Sequence, residues 1–332
     1  MKRYLTFIAL SMILASCQFG FEVNNSAAPG LYVNCMSDES SISFIFEYAV
    51  HLGVRVDEIP GLKMTNIELS VNGEAVDVDS RILSYEKALG RKLEAGDRLE
   101  IRAIAEGLPE IEASTVMPAL PEFKSLSLVK ENASGVRVSG FTLELASQPV
   151  PGSYVGVMLQ KRMEIEMDGQ WRDSSRFLSP SVTVSADPSA EVARVNFRGM
   201  RAILPTVRSG DRMQILSVIP ASAFKDCKIS LTDIDMSALM HAASAGGTGP
   251  GSPLPAPPEE RSVSYELRLL GVSEDFYRYS VAMSRVGTDF LAQMGLAPAQ
   301  FAWTNVRGGF GVCGAFVFDS FQFEEKEILL HN

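Results

Sequence analysis

Histidine is scarce in this chain: His51, His241 and His331 are the full complement, and no H-E-x-x-H pair occurs. Zinc-protease chemistry on the usual helical spacing is therefore excluded. There is no G-x-S-x-G elbow and no phosphate-binding P-loop, so serine hydrolases of the elbow type and P-loop nucleotidases lose their usual marks. Basic residues are outnumbered, with 30 Lys and Arg against 40 Asp and Glu and a net charge of -10. Such a surface repels phosphate backbones and argues against nucleic-acid binding. No apolar run reaches the roughly twenty residues that cross a bilayer as a helix. Cysteine is limited to Cys17, Cys35, Cys227 and Cys313, too few and too widely spaced for a disulfide framework or a zinc knuckle.

What is present begins at the N-terminus. Met1-Lys2-Arg3 is a short cationic start, and Tyr4 to Ala15 is an uncharged apolar stretch, which together have the anatomy of an export signal. Ala15-Ser16-Cys17 closes it with the small residues and the thiol of a bacterial lipobox. The expectation is cleavage after residue 16 and acylation of Cys17, giving a lipid anchor at the membrane. Removing Lys2 and Arg3 leaves 28 basic residues against 40 acidic, or -12, on the mature chain. With Cys17 lipidated, Cys35, Cys227 and Cys313 remain, read as buried thiols, with one bridge left open in an oxidising envelope. Residues 17–30 are small and polar and read as a tether.

From residue 31 the pattern has period two. Leu31-Tyr32-Val33-Asn34, Ser41 to Phe46, Ile67 to Val71 and Leu99 to Ile104 read as strands, and Asn72-Gly73 after the third is a strong hairpin turn. Pro118 and Pro121 break the alternation, which places a boundary there. Beyond it Val136 to Val138, Phe141 to Leu145, Tyr154 to Leu159, Val182 to Val184 and Val192 to Val195 alternate again. Short strands with frequent turns predict a mostly β chain of two β-sandwich-like domains, 31–119 and 120–332. Leu93 to Ile101 resembles Val207 to Ile215, each a Gly-Asp turn feeding a strand.

Two segments of the second half depart from strand. Residues 242–258 are rich in Gly, Pro, Ser and Ala and read as a disordered loop. Ser273-Glu274-Asp275 is an N-cap with an acidic first turn, and Phe276, Tyr279, Met283, Val286 and Phe290 fall on one helical stripe, predicting a short helical segment near 273–294 that Gly287 interrupts. The stripe reads as a packing face. Gly309-Phe310-Gly311-Val312-Cys313-Gly314 satisfies G-x-G-x-x-G, but Ala315-Phe316-Val317-Phe318 continues as strand where a dinucleotide site needs a helix. The glycines are therefore assigned to close backbone packing or positive φ, and no cofactor is expected. Glu164, Glu166 and Asp168 alternate along one strand face and read as a solvated acidic edge, with a glycosidase pair as the rival. Trp171 and Trp303, each alone in its segment, read as packing residues, with stacking on a sugar ring as the rival.

Asn305 to Ala315, with Asn305, Gly308, Gly309, Gly311 and Gly314, resembles the closing motif N-x-x-G-G-x-G-x-F-G-A of the domain-of-unknown-function family 4249, a group of Bacteroidetes cell-envelope lipoproteins. Leu269 to Tyr279, Glu106 to Pro118 and Leu31 to Asn34 are similar to three further segments of that family. Cys313 departs from it, standing where an aromatic is usual, and Gly246 to Pro258 is an insertion. The resemblance implies an all-β exported lipoprotein, lipid-anchored in the outer membrane, working beside a TonB-dependent receptor, and implies no reaction. The expectation is thus a non-enzymatic binding or accessory protein, with a structural or adhesive surface lipoprotein and an envelope hydrolase as alternatives. Gln18 after Cys17 is not an inner-membrane retention residue, which favours outer-membrane sorting.

Overall fold

The computed structural model describes residues 29–49, 61–131, 137–167, 170–178, 180–184, 192–196, 215–232, 260–288 and 303–324. Cys17, the tether up to residue 28, the three histidines, Asp168, the 242–258 loop, residues 289–294 and the Gly210-Asp211 turn lie outside them. Within them the protein is mostly β. Strands β1 (Gly30–Ser37), β2 (Ser41–Ala49), β3 (Met64–Val71), β4 (Glu74–Val76), β5 (Ser84–Ala88), β6 (Arg98–Ala105) and β7 (Ile111–Val116) precede the Pro118–Pro121 segment. After it come β8 (Phe123–Glu131), β9 (Arg137–Leu145), β10 (Tyr154–Met167), β11 (Gln170–Leu178), β12 (Ser181–Val184), β13 (Ala193–Asn196), β14 (Ile215–Pro220), β15 (Lys228–Thr232) and β16 (Glu260–Val272). Helix α1 (Glu274–Thr288) and strand β17 (Phe310–Glu324) complete the set.

Three sheets result. A nine-stranded sheet runs β13-β14-β10-β16-β17-β1-β2-β5, with β11 also on β10, and two four-stranded sheets run β12-β15-β9-β8 and β4-β3-β6-β7. Strands from both sides of residue 119 thus lie in one sheet, because β17 returns to pair with β1. The two halves of β17 have different neighbours. Phe310 to Ala315 pairs in parallel with Tyr32 to Ser37 of β1, and Phe316 to Glu324 pairs antiparallel with Val272 to Ser264 of β16. Gly271 of β16 makes room for the boundary segment, since a Cβ there would press into the Ala119 carbonyl.

Alternation along β17 distributes its side chains between two layers. Cys313, Ala315 and Val317 join a core with Val33 and Cys35 of β1, Ile67 and Leu69 of β3, Ile101 of β6 and Ile111 of β7. Val312 and Phe316 face the other way, into a core with Phe276 and Tyr279 of α1, Met36, Leu270 and Val272. A third core joins Phe141, Leu143 and Leu231 of one four-stranded sheet to Val155, Leu267 and Leu269 of the nine-stranded one. The helix therefore covers one face of the large sheet, while the smaller sheets cover the other.

Local chemistry explains the ends of these elements. Asn72 and Gly73 both have positive φ, 52° and 81°, as the tight turn from β3 to β4 requires. The Ser273 hydroxyl accepts the Phe276 amide at 3.2 Å, capping α1, and Glu274 pairs with Arg278 at 2.5 Å one turn on. Helix α1 is described to Thr288, one residue past Gly287, so the glycine falls in its last described turn, where its conformational cost is least. Phe276 and Tyr279 of the expected stripe are buried.

Candidate functional site

The long strand β17 loses its β16 neighbour at Phe316, so the outward edge of Phe310 to Ala315 would carry unpaired backbone groups. Side chains take the missing strand's place. The Asn305 carboxamide donates from Nδ2 to the Cys313 carbonyl at 2.8 Å, and its Oδ1 accepts the Cys313 amide at 2.9 Å, the two bonds a neighbouring peptide unit would make. The Ser273 amide donates to the Ala315 carbonyl at 2.9 Å and its hydroxyl accepts the Ala315 amide at 3.0 Å. The Thr304 hydroxyl donates to the Gly311 carbonyl at 2.7 Å and accepts the Val306 amide at 3.1 Å. Asn305 Nδ2 also reaches the Ser114 carbonyl at 3.0 Å, tying this edge to β7.

The glycines of the motif admit neighbours that a side chain would displace. Gly308 and Gly311 have φ of 78° and 111°. A Cβ on Gly308 would enter the Glu110 carbonyl, and one on Gly311 would enter the Val33 carbonyl of β1 and lie 2.8 Å from its carbon. Gly309 is closed by the Leu31 carbonyl and by Ile111 Cγ2, which a Cβ would meet at 2.6 Å. Gly314 lies under the helix, where a Cβ would stand 3.0 Å from Met36 Sδ and 3.1 Å from Phe276 Cβ. All four are filled from inside the protein. Around them Arg307 and Glu112 exchange backbone hydrogen bonds at 3.0 and 2.8 Å and pair through their side chains, and Arg102 joins Glu112 at 3.3 Å.

Titratable groups line the seam. Asp275, in the first turn of α1, accepts from the Thr115 hydroxyl at 2.9 Å. Burial pushes its carboxyl above the ordinary aspartate range, partly offset by the hydrogen bonds from Thr115 and Asn305. Cys313 stands in register with Cys35 of β1, each 1 % exposed. The hydrogen bond it shares with Cys35, together with burial, pushes the Cys313 thiol up, so it is held protonated. Tyr32 and Tyr279 share a hydroxyl contact of 3.1 Å between β1 and α1, and burial pushes both phenols up.

The four segments that carry the family resemblance thus meet in one place: β1 from Leu31 to Asn34, β7 with Ser114 and Thr115, the Ser273–Phe276 cap, and Asn305 to Ala315. The remaining residues singled out in the sequence stand apart. Glu164 on β10 accepts from Ser262 at 2.9 Å, and Trp171 lies opposite Glu166 on the β10–β11 hairpin. Trp303 is half-buried against the helix-side core. Sequence reasoning missed Glu266, 4 % exposed, to which Arg268 Nε donates at 2.7 Å and with which Arg162 also pairs. The Glu-x-Arg step on one face of β16 was a readable signal, whereas the approach of Arg162 from β10 was not.

Chemically, the seam satisfies backbone groups and holds its thiol and carboxyl in surroundings that favour their neutral forms. Among the described residues no group of three or more His, Cys, Asp and Glu could hold a metal, and no helix is long and apolar enough to cross a membrane. No protein-family model matches the chain, and a search of curated proteins gives no match either.

Proposed function

We propose that this chain is a non-enzymatic binding or accessory protein of the outer envelope, anchored through lipid on Cys17 and acting beside a TonB-dependent outer-membrane receptor. The lipobox-like Ala15-Ser16-Cys17 and the family resemblance support the placement. The observation that supports a packing rather than a nucleotide-binding role for the glycine motif is the use made of it. Asn305, Gly308, Gly309 and Gly311 are spent on contacts with Cys313, Glu110, Leu31 and Val33, and Gly314 on the Met36 and Phe276 side chains, so the segment that most resembles a nucleotide fingerprint is occupied by the protein itself.

Crosslinking in native envelopes, followed by identification of the adducts, tests the reading. A receptor barrel is the expected adduct. Recovery of this protein only with copies of itself favours the structural alternative, and hydrolysis of a glycan or peptide panel by the purified protein favours the enzyme. For the anchor, mass spectrometry of the membrane fraction is expected to find a mature N-terminus at Cys17 carrying acyl chains; a free Cys17 thiol there overturns it.

A further inference from the structure

Cys35 and Cys313 are 278 positions apart in the chain, yet they sit directly opposite each other on β1 and β17. We infer that Cys35 and Cys313 are a disulfide site that locks the first strand of the fold to the last, formed by exchange with an external disulfide while the chain folds. Neighbouring strands lie about 4.8 Å apart, which falls inside the Cα separation a disulfide spans. Both side chains point into the same core. The remaining thiol among the described residues, Cys227, belongs to the core between the other pair of sheets and does not compete. Cys17 is consumed by the acyl group of the proposed anchor.

The register that aligns the two sulfurs is held from both sides. Val33 and Gly311 approach so closely that only glycine is accommodated, and Asn305 fixes the Cys313 backbone through both its amide and its carbonyl. Gly314, next along, admits Met36 and Phe276 and keeps β17 flush against its neighbours.

The chemistry balances as thiol–disulfide exchange. One cysteine thiolate attacks a low-molecular-weight or protein disulfide and expels one thiolate, and the second cysteine thiolate attacks the mixed disulfide and expels the other. Two electrons pass from the cysteine sulfurs to the external disulfide, and the two protons go to the departing thiolates. In the folded protein both thiols are buried and Cys313 is held protonated, which blocks attack. The exchange therefore belongs to the interval before β17 docks on β1, and the finished bond is shielded from reductant by the same burial.

The test is peptide mapping of the full chain, unfolded and then refolded with oxidised glutathione, and of the protein isolated from envelopes lysed in N-ethylmaleimide. The expected result is a Cys35–Cys313 crosslinked peptide, lighter than the two free peptides by two hydrogens, with Cys227 alkylated once the protein is denatured. Protein folded under reducing conditions should resist the same oxidant, its thiols reacting only after denaturant is added. Both thiols free in the refolded and the envelope samples, or a bridge that uses Cys227 or Cys17, overturns the inference. A bridge in the refolded sample with free thiols in the envelope supports the site and counts instead against an oxidising location for the protein. Mapping the unsubstituted chain keeps the test independent of whether a Cys35→Ser variant folds.

Discussion

Replacing Asn305 by alanine removes the side chain that stands in for a strand beside β17. Three bonds to the backbone are lost: Nδ2 to the Cys313 carbonyl, Nδ2 to the Ser114 carbonyl, and the Cys313 amide to Oδ1. Each orphaned buried group costs about 1–3 kcal/mol, and water entering the vacated space recovers part of that, so the net loss should be about 3–5 kcal/mol. Asn305→Asp is the sharper variant. It keeps an acceptor for the Cys313 amide but turns carboxylate oxygens toward two carbonyls and toward Asp275. Its folded-state pKa must therefore rise above the unfolded value, so the variant's stability is greatest at acid pH and is lost as pH climbs through the raised value. Urea unfolding followed by the fluorescence of Trp303, two residues away and half-buried, reads both. At a slope of about 3 kcal/mol per molar urea the alanine variant should shift the midpoint down by roughly 1 M or more. A shift below about 0.3 M, or an aspartate variant as stable as wild type at neutral pH, would refute the edge-satisfying role of Asn305.

Gly311→Ala should cost at least about 1–3 kcal/mol for the positive φ alone, with more from the clash into the Val33 carbonyl, and the β1 amides should exchange hydrogen faster; Gly96→Ala is the control, because Gly96 has a φ of 98° but nothing within 4 Å of a Cβ. Equal losses in the two variants would remove the close approach from the account. Asp275→Asn should change the pH profile. The folded carboxyl is raised, so the folded state binds its proton more tightly, and wild-type stability at this site is full below the ordinary aspartate value of 3.8 and falls as pH rises through the raised one. The variant does not titrate, so its stability relative to wild type should climb across that window and then level off. A difference that stays flat through the acid range would sink the assignment.

Much of the strand pattern is legible because one face of each strand is buried and the other is not. Ser41-Ile42-Ser43-Phe44-Ile45-Phe46 buries Ile42, Phe44 and Phe46, and the same reading holds for β3, β6 and β9. The cap at Ser273 and the turn at Asn72-Gly73 are legible for local reasons. Strand β7 escapes a reading by alternation, because Ile111, Ala113 and Thr115 point inward and two of them are small or polar. Strand β11, Gln170 to Leu178, carries almost no apolar alternation because it is the outer strand of a hairpin on β10. The glycine cluster can be denied a nucleotide role from its flanking strands, yet nothing local identifies Val33, Leu31 and Glu110 as what it admits. The parallel pairing of β1 with β17 and the meeting of Cys35 with Cys313 are long-range facts with no local trace.

That pairing decides when the protein can exist at all. The core beneath β1 is completed by Val306, Cys313, Ala315 and Val317, so although β2 can pair with one edge of β1 at once, the other edge stays open until nearly three hundred further residues have been made. Closing so long a loop is slow, because the entropy of the intervening chain is lost before the contact is made. Until β17 arrives, the open edge of β1 is a template for strand exchange between neighbouring copies, the characteristic failure that such a late closure invites.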